Sequence, residues 1–106
     1  MDNIRRQILT GAITHYGPAT QVIKAMEEVG ELVQAIAKHF NTVTDDASNN
    51  AEKGATIDHL TEEMADVRIM LDQLEIIFDN HEAVHMWELR KLRRLDQRVH
   101  AADEVT

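Results

Sequence analysis

Cysteine is absent from the 106 residues, which excludes a disulfide framework and any thiolate metal site. Aromatic residues make up only 4% of the chain, so Leu, Ile, Val, Ala and Met must fill its core. No apolar run is long enough to cross a bilayer, and none follows a basic N-terminal segment. A soluble, cytoplasmic protein with no membrane partner is therefore expected. Positive charge is scarce too: 11 Lys and Arg against 19 Asp and Glu give a formal net charge of −8. Such a balance suits a nucleic-acid backbone poorly, so no nucleic-acid polymer is expected as a partner. A small anion held through metal ions remains compatible with it.

What is present is helical periodicity. Ile4, Ile8, Leu9, Ala12 and Ile13 recur at helical spacing between Asp2 and about His15, and the pattern stops at "YGP". Pro18 suits the first turn of a second helix running to about Phe40. The stretch "NTVTDDASNNAEKGAT" is polar, aperiodic and contains Gly54, so a loop is expected over about 41–57. A third helix follows from about Asp58 to Asp79, with Thr56 or Asp58 as its N-cap. A fourth runs from about His81 to Val99. Strand alternation is absent. The expectation is one all-α domain over residues 1–106, a four-helix-type bundle.

Two of these helices carry like charges one turn apart, an arrangement that costs a helix a few tenths of a kcal/mol per pair, on the order of 0.2–0.5. "KAMEEVGELVQAI" holds Glu27, Glu28 and Glu31, and "HLTEEMADVRIML" holds Glu62, Glu63 and Asp66. On the second helix Val22, Met26, Val29, Val33, Ile36 and Phe40 form an apolar stripe. Glu28 and Glu31 lie along its border with Gln21, Lys24, Ala35 and His39, while Glu27 points further toward solvent. On the third helix Glu63 falls amid Leu60, Val67, Met70, Leu71, Leu74 and Phe78, with Asp66 at the edge near His59. An unpaired carboxylate on an apolar face is costly. Two helices facing each other with acids one turn apart form a cage of carboxylates, which suits a hard divalent cation such as Mg²⁺ or Mn²⁺. The cation would remove the repulsion and leave coordination positions for water and substrate oxygens.

"EEVGE" (Glu27 to Glu31) followed on the next helix by "EEMAD" (Glu62 to Asp66) resembles the EExxE…ExxD signature of the MazG-like all-alpha nucleoside triphosphate pyrophosphohydrolases. The resemblance covers most of the chain, from about Tyr16 through the fourth helix. It implies an all-alpha bundle completed by oligomerisation. It also implies an Mg²⁺-dependent hydrolase that cleaves a nucleoside triphosphate between the α and β phosphates in nucleotide-pool housecleaning. Carried over by position, it makes Glu28, Glu31, Glu63 and Asp66 the metal ligands. Glu27 is then the residue that orients or deprotonates the attacking water.

Phosphoryl transfer also calls for cations around the phosphates. In "WELRKLRRLDQR" the residues Trp87, Lys91, Arg94 and Arg98 share one stripe of the fourth helix, so Lys91 and Arg94 are candidate substrate contacts. Lys24 and Gln21, on the same border as Glu28, are others. The bland alternative is a basic surface that balances the surplus of acids. A third helix with Ile69 and Ile76 well away from its main apolar face is apolar on more than one side. A homodimer or homotetramer is therefore expected. Two other functions fit the same residues. One is a non-catalytic helical interaction module. The other is a di-metal redox bundle using the ExxH pair Glu82 and His85, although such bundles need a second ExxH.

Overall fold

Local hydrogen bonding sets where the helices begin and end. In the computed structural model, which describes residues 1–105 and side chains as far as residue 101, the order is α1 (Asn3–Tyr16), α2 (Pro18–Thr44), α3 (Asn50–Ile77) and α4 (His81–Val105). No strand occurs among the described residues. Asp2 caps α1 by accepting from the Arg5 backbone N–H at 2.8 Å. Gly17, at φ 92°, closes α1 in a conformation that disfavours any side chain, and Pro18 then opens α2.

The expected loop over 41–57 is corrected to five residues, 45–49, between Thr44 and Asn50. Thr42 and Thr44 lie within α2 and donate their hydroxyls to the carbonyls of Lys38 and Phe40. Asn49, not Thr56 or Asp58, starts α3: its side chain accepts from the Glu52 N–H at 2.8 Å and donates back to the Glu52 carboxylate at 3.1 Å. Polar composition resembles a loop, but these residues cap helices or lie within them. Gly54 sits inside α3, where the helix bears its cost of about 1 kcal/mol relative to Ala.

Helices α2 and α3, of 27 and 28 residues, form an antiparallel hairpin roughly 40 Å long at about 1.5 Å per residue. The face that α2 turns to α3 is Gln21, Ala25, Glu28, Leu32, Ala35 and His39, alternating four and three residues apart. From α3 come Thr56, Leu60, Glu63, Val67, Met70, Leu74 and Ile77 with the same alternation. Among the described residues, three of the eight that are buried are polar: Gln21, Glu63 and Gln73, beside Leu9, Ala25, Ala35, Val67 and Met70. At one end of the seam the Gln21 Nε2 donates to the Gln73 Oε1 at 2.8 Å, and at the other His39 Nδ1 pairs with Thr56 Oγ1 at 2.8 Å. Replacing Gln21 by Leu leaves a buried acceptor on Gln73. We expect that to cost about 1–3 kcal/mol in urea unfolding. The double replacement Gln21→Leu plus Gln73→Leu should recover most of the loss.

The apolar stripe of α2 occupies the adjacent register and faces outward. Met26 is 64% exposed, Val33 61% and Phe40 63%. Leu71 on α3 and Phe78 at its C-cap are exposed as well. Helix α4 packs against α3 and no other helix among the described residues, and its Trp87, Leu92, Leu95 and Val99 are about half exposed. The radius of gyration of 18.1 Å exceeds the roughly 13 Å of a compact domain this long. One chain thus leaves much of its apolar surface uncovered.

Helix α1 is tied to α3 by Arg5 Nε donating to Asp72 Oδ2 at 2.6 Å. Asp79, at φ 51°, makes the corner into α4, and the Asn80 N–H closes it onto the Glu75 carbonyl at 3.1 Å. There His81 Nδ1 lies 3.3 Å from the Glu75 carboxylate. Burial pushes the Glu75 carboxyl above its ordinary value, a hydrogen bond with Asp72 adds to this, and His81 opposes it.

Candidate metal centre

The acids converge at the middle of the hairpin seam. Ten residues along α2 from Gln21 lies Glu31, and ten residues back along α3 from Gln73 lies Glu63, so the antiparallel register brings the two carboxylates to the same level of the hairpin. With Glu28, one turn before Glu31, they form a group in which one oxygen from each lies within 4.8 Å of the others. Glu63 is buried, Glu28 half-buried and Glu31 exposed, so the group opens to solvent on the Glu31 side.

The surroundings leave this cluster electrically unbalanced. Glu28 Oε1 has Lys24 Nζ at 3.8 Å, and Glu63 Oε1 has His59 Nε2 at 3.9 Å, each one turn away on its own helix. Glu28 Oε2 and Glu63 Oε2 are buried with no hydrogen-bond partner. A buried carboxylate oxygen without a donor is costly, so such atoms call for a proton, a cation or an ordered water. The Glu28 carboxyl is accordingly pushed above its ordinary value. Burial is the largest cause, the negative charges of Glu31, Asp66 and Glu63 add to it, and Lys24 opposes it. Asp66 is therefore close enough to act on Glu28, although it lies outside the group of three.

The other sequence candidates fall at different distances from the centre. Glu27 is exposed on the flank and lines, with Tyr16, Thr20, Gln21, Ile23 and Lys24, a cleft of about 380 Å³. Gln21 is only 3% exposed and its amide N–H₂ is engaged by Gln73, so its first role is to lock the helices. Lys91 and Arg94 are on α4, which does not pack against α2. The ExxH pair, Glu82 and His85, is also on α4 and joins no cluster of metal-ligating side chains among the described residues. Sequence reasoning gave no role to Lys38, which lies two turns beyond Glu31, or to His59, one turn before Glu63. Both line a cleft of about 370 Å³ with Glu31, Gln34, Ala35 and Glu63. The signal for His59 was its spacing from Glu63. Lys38 needed the register of α2 against α3, which a loop drawn over 41–57 concealed.

In donor type, number and unsatisfied oxygens, the three carboxylates fit a hard divalent cation. No helix among the described residues is long and apolar enough to cross a membrane. No protein-family model matches the chain, and neither does any curated protein or solved structure.

Proposed function

We propose that this protein is a Mg²⁺-dependent nucleoside triphosphate pyrophosphohydrolase whose metal centre is the carboxylate group of Glu28, Glu31 and Glu63, with Asp66 beside it. The observation that carries the reading is the pair of buried, unpartnered oxygens, Glu28 Oε2 and Glu63 Oε2, within that cluster of acids. A structural role for these acids would have supplied donors to both oxygens. A bound divalent cation would neutralise the phosphate charge and acidify a water. Hydrolysis adds that water across the α–β anhydride and yields monophosphate and pyrophosphate. Glu27, exposed next to Glu28 and free of an ion pair among the described residues, is the candidate to orient the water and take its proton.

The uncovered apolar register of α2 supports a homodimer or homotetramer as the working state. Because α4 does not pack against α2, its Lys91 and Arg94 would meet a carboxylate cluster only on a second copy. The test is a panel of ribo- and deoxyribonucleoside triphosphates assayed for pyrophosphate release with Mg²⁺ and with chelator, on material whose mass is fixed by light scattering. We expect chelator-sensitive release of pyrophosphate, not orthophosphate, from at least one triphosphate, by a species larger than one chain. No Mg²⁺ binding and no release from any nucleotide would instead favour a non-catalytic interaction module.

A further inference from the structure

Resting on that reading, we infer that Lys38 and His59 form the subsite for the β- and γ-phosphates, the part of the substrate that becomes pyrophosphate. The subsite lies within a single chain. Two clefts lie near the carboxylate centre, one lined by its Glu31 and Glu63 and one beyond Lys24, and they differ in charge and in what is already engaged. On one side Lys24 is held by Glu28 at 3.8 Å, and Glu27 adds a negative charge beside Tyr16 and Ile23. A polyphosphate entering there would meet one committed cation and an acid.

On the other side the cleft of about 370 Å³ is walled by Glu31 and Lys38 from α2 and by His59 and Glu63 from α3. Lys38 forms no ion pair among the described residues. His59 touches the centre only through the 3.9 Å approach to Glu63, and its ring carries an N–H donor in either protonation state. Glu31, Ala35 and Lys38 follow one another on a single face of α2, and Ala35 leaves room between the acid and the cation. Just beyond, the hydrogen bond between His39 and Thr56 ties the two helices together. A phosphate chain whose α–β link sits at the carboxylates can therefore run its remaining oxygens toward a lysine and an imidazole, the donor chemistry that such oxygens accept.

Binding of inorganic pyrophosphate, measured by calorimetry at saturating Mn²⁺, tests this, with Mn²⁺ binding itself followed separately by electron paramagnetic resonance. Lys38→Ala plus His59→Ala should weaken pyrophosphate at least tenfold, whereas Lys38→Arg should keep most of the affinity. Lys38→Ala alone, an exposed change that leaves all three carboxylates in place, should weaken pyrophosphate severalfold and leave Mn²⁺ binding as in the parent. Lys91→Ala plus Arg94→Ala should leave pyrophosphate affinity within twofold. If Mn²⁺ binds the parent but Lys38→Ala and the Lys38/His59 pair hold pyrophosphate as the parent does, the subsite is refuted while the metal centre stands. The subsite is refuted equally if only the α4 pair loses affinity, because that puts a second copy's α4 at the phosphates. A parent that binds no Mn²⁺ refutes the metal centre and the subsite together.

Discussion

Glu63→Gln is expected to lower Mg²⁺-dependent pyrophosphate release by at least two orders of magnitude, with the helical content and oligomeric mass of the protein unchanged. The substitution keeps the volume and hydrogen-bonding length of the side chain and removes one negative charge from the most buried member of the cluster. An amide oxygen is a weaker ligand for a hard cation than a carboxylate. The amide N–H₂ would in turn sit where Glu63 now presents an unpartnered oxygen, and would offer a hydrogen bond to Glu28 or Glu31. The variant should therefore be no less stable than the metal-free parent, which separates lost chemistry from lost fold. Steady-state kinetics beside circular dichroism decides it. Parental turnover in Glu63→Gln would remove the residue from the metal centre.

The second large effect is on stability. A cation that binds the folded cluster but not the unfolded chain adds about 2.7 kcal/mol when present at roughly a hundred times its dissociation constant. For a chain of this length that raises the melting temperature by on the order of ten degrees. Addition of Mg²⁺ or Mn²⁺ should thus raise the melting temperature of chelator-treated protein by about that much. Glu28→Gln plus Glu63→Gln should melt higher than the metal-free parent and show no response to metal. Identical melting temperatures for the parent with chelator and with saturating Mg²⁺ would mean that the acids do not hold a cation.

The same melts carry a pH dependence of definite sign. The Glu28 carboxyl in the metal-free fold is raised above its ordinary value of 4.5 by burial and then by its acidic neighbours. The folded state therefore holds the proton more tightly than the unfolded chain. Its contribution to stability is fully present below the ordinary value and is lost as the pH rises through the raised one. The cation needs the deprotonated carboxylate, so its stabilising effect grows over that same interval. The gap between melting curves with and without Mg²⁺ should widen from mildly acidic to neutral pH. A gap that is constant or narrows with rising pH would detach Glu28 from the cation.

The all-helical class, the order of the helices and the two acidic half-motifs were legible in the sequence because each depends on residues a few positions apart. Apolar spacing, Pro18 at a helix start and acids one turn apart are local features. The same locality made the stretch from Asn41 to Thr56 misleading. Polar composition alone does not distinguish a loop from helix ends that contain Thr42 and Thr44 or are capped by Asn49, and Asn49 is recognisable as a cap only once its hydrogen bond to Glu52 is seen. Which face of α2 meets α3 was not a local property either. Hydrophobicity selected the stripe of Met26, Val33 and Phe40, yet the hairpin closes on the neighbouring register of Gln21, Ala25, Glu28 and Ala35, because the alanines allow close approach and the glutamines pair across it. That shift by one residue left the apolar stripe exposed on the single chain and turned Glu28 inward. The sequence by itself determined that two helices would each carry an acidic turn. Only the tertiary structure decided that Glu28, Glu31 and Glu63 meet, that Glu27 and Asp66 stand to the side, and that Lys38 and His59 flank the meeting point, because the register of two antiparallel helices is set by packing along their whole length.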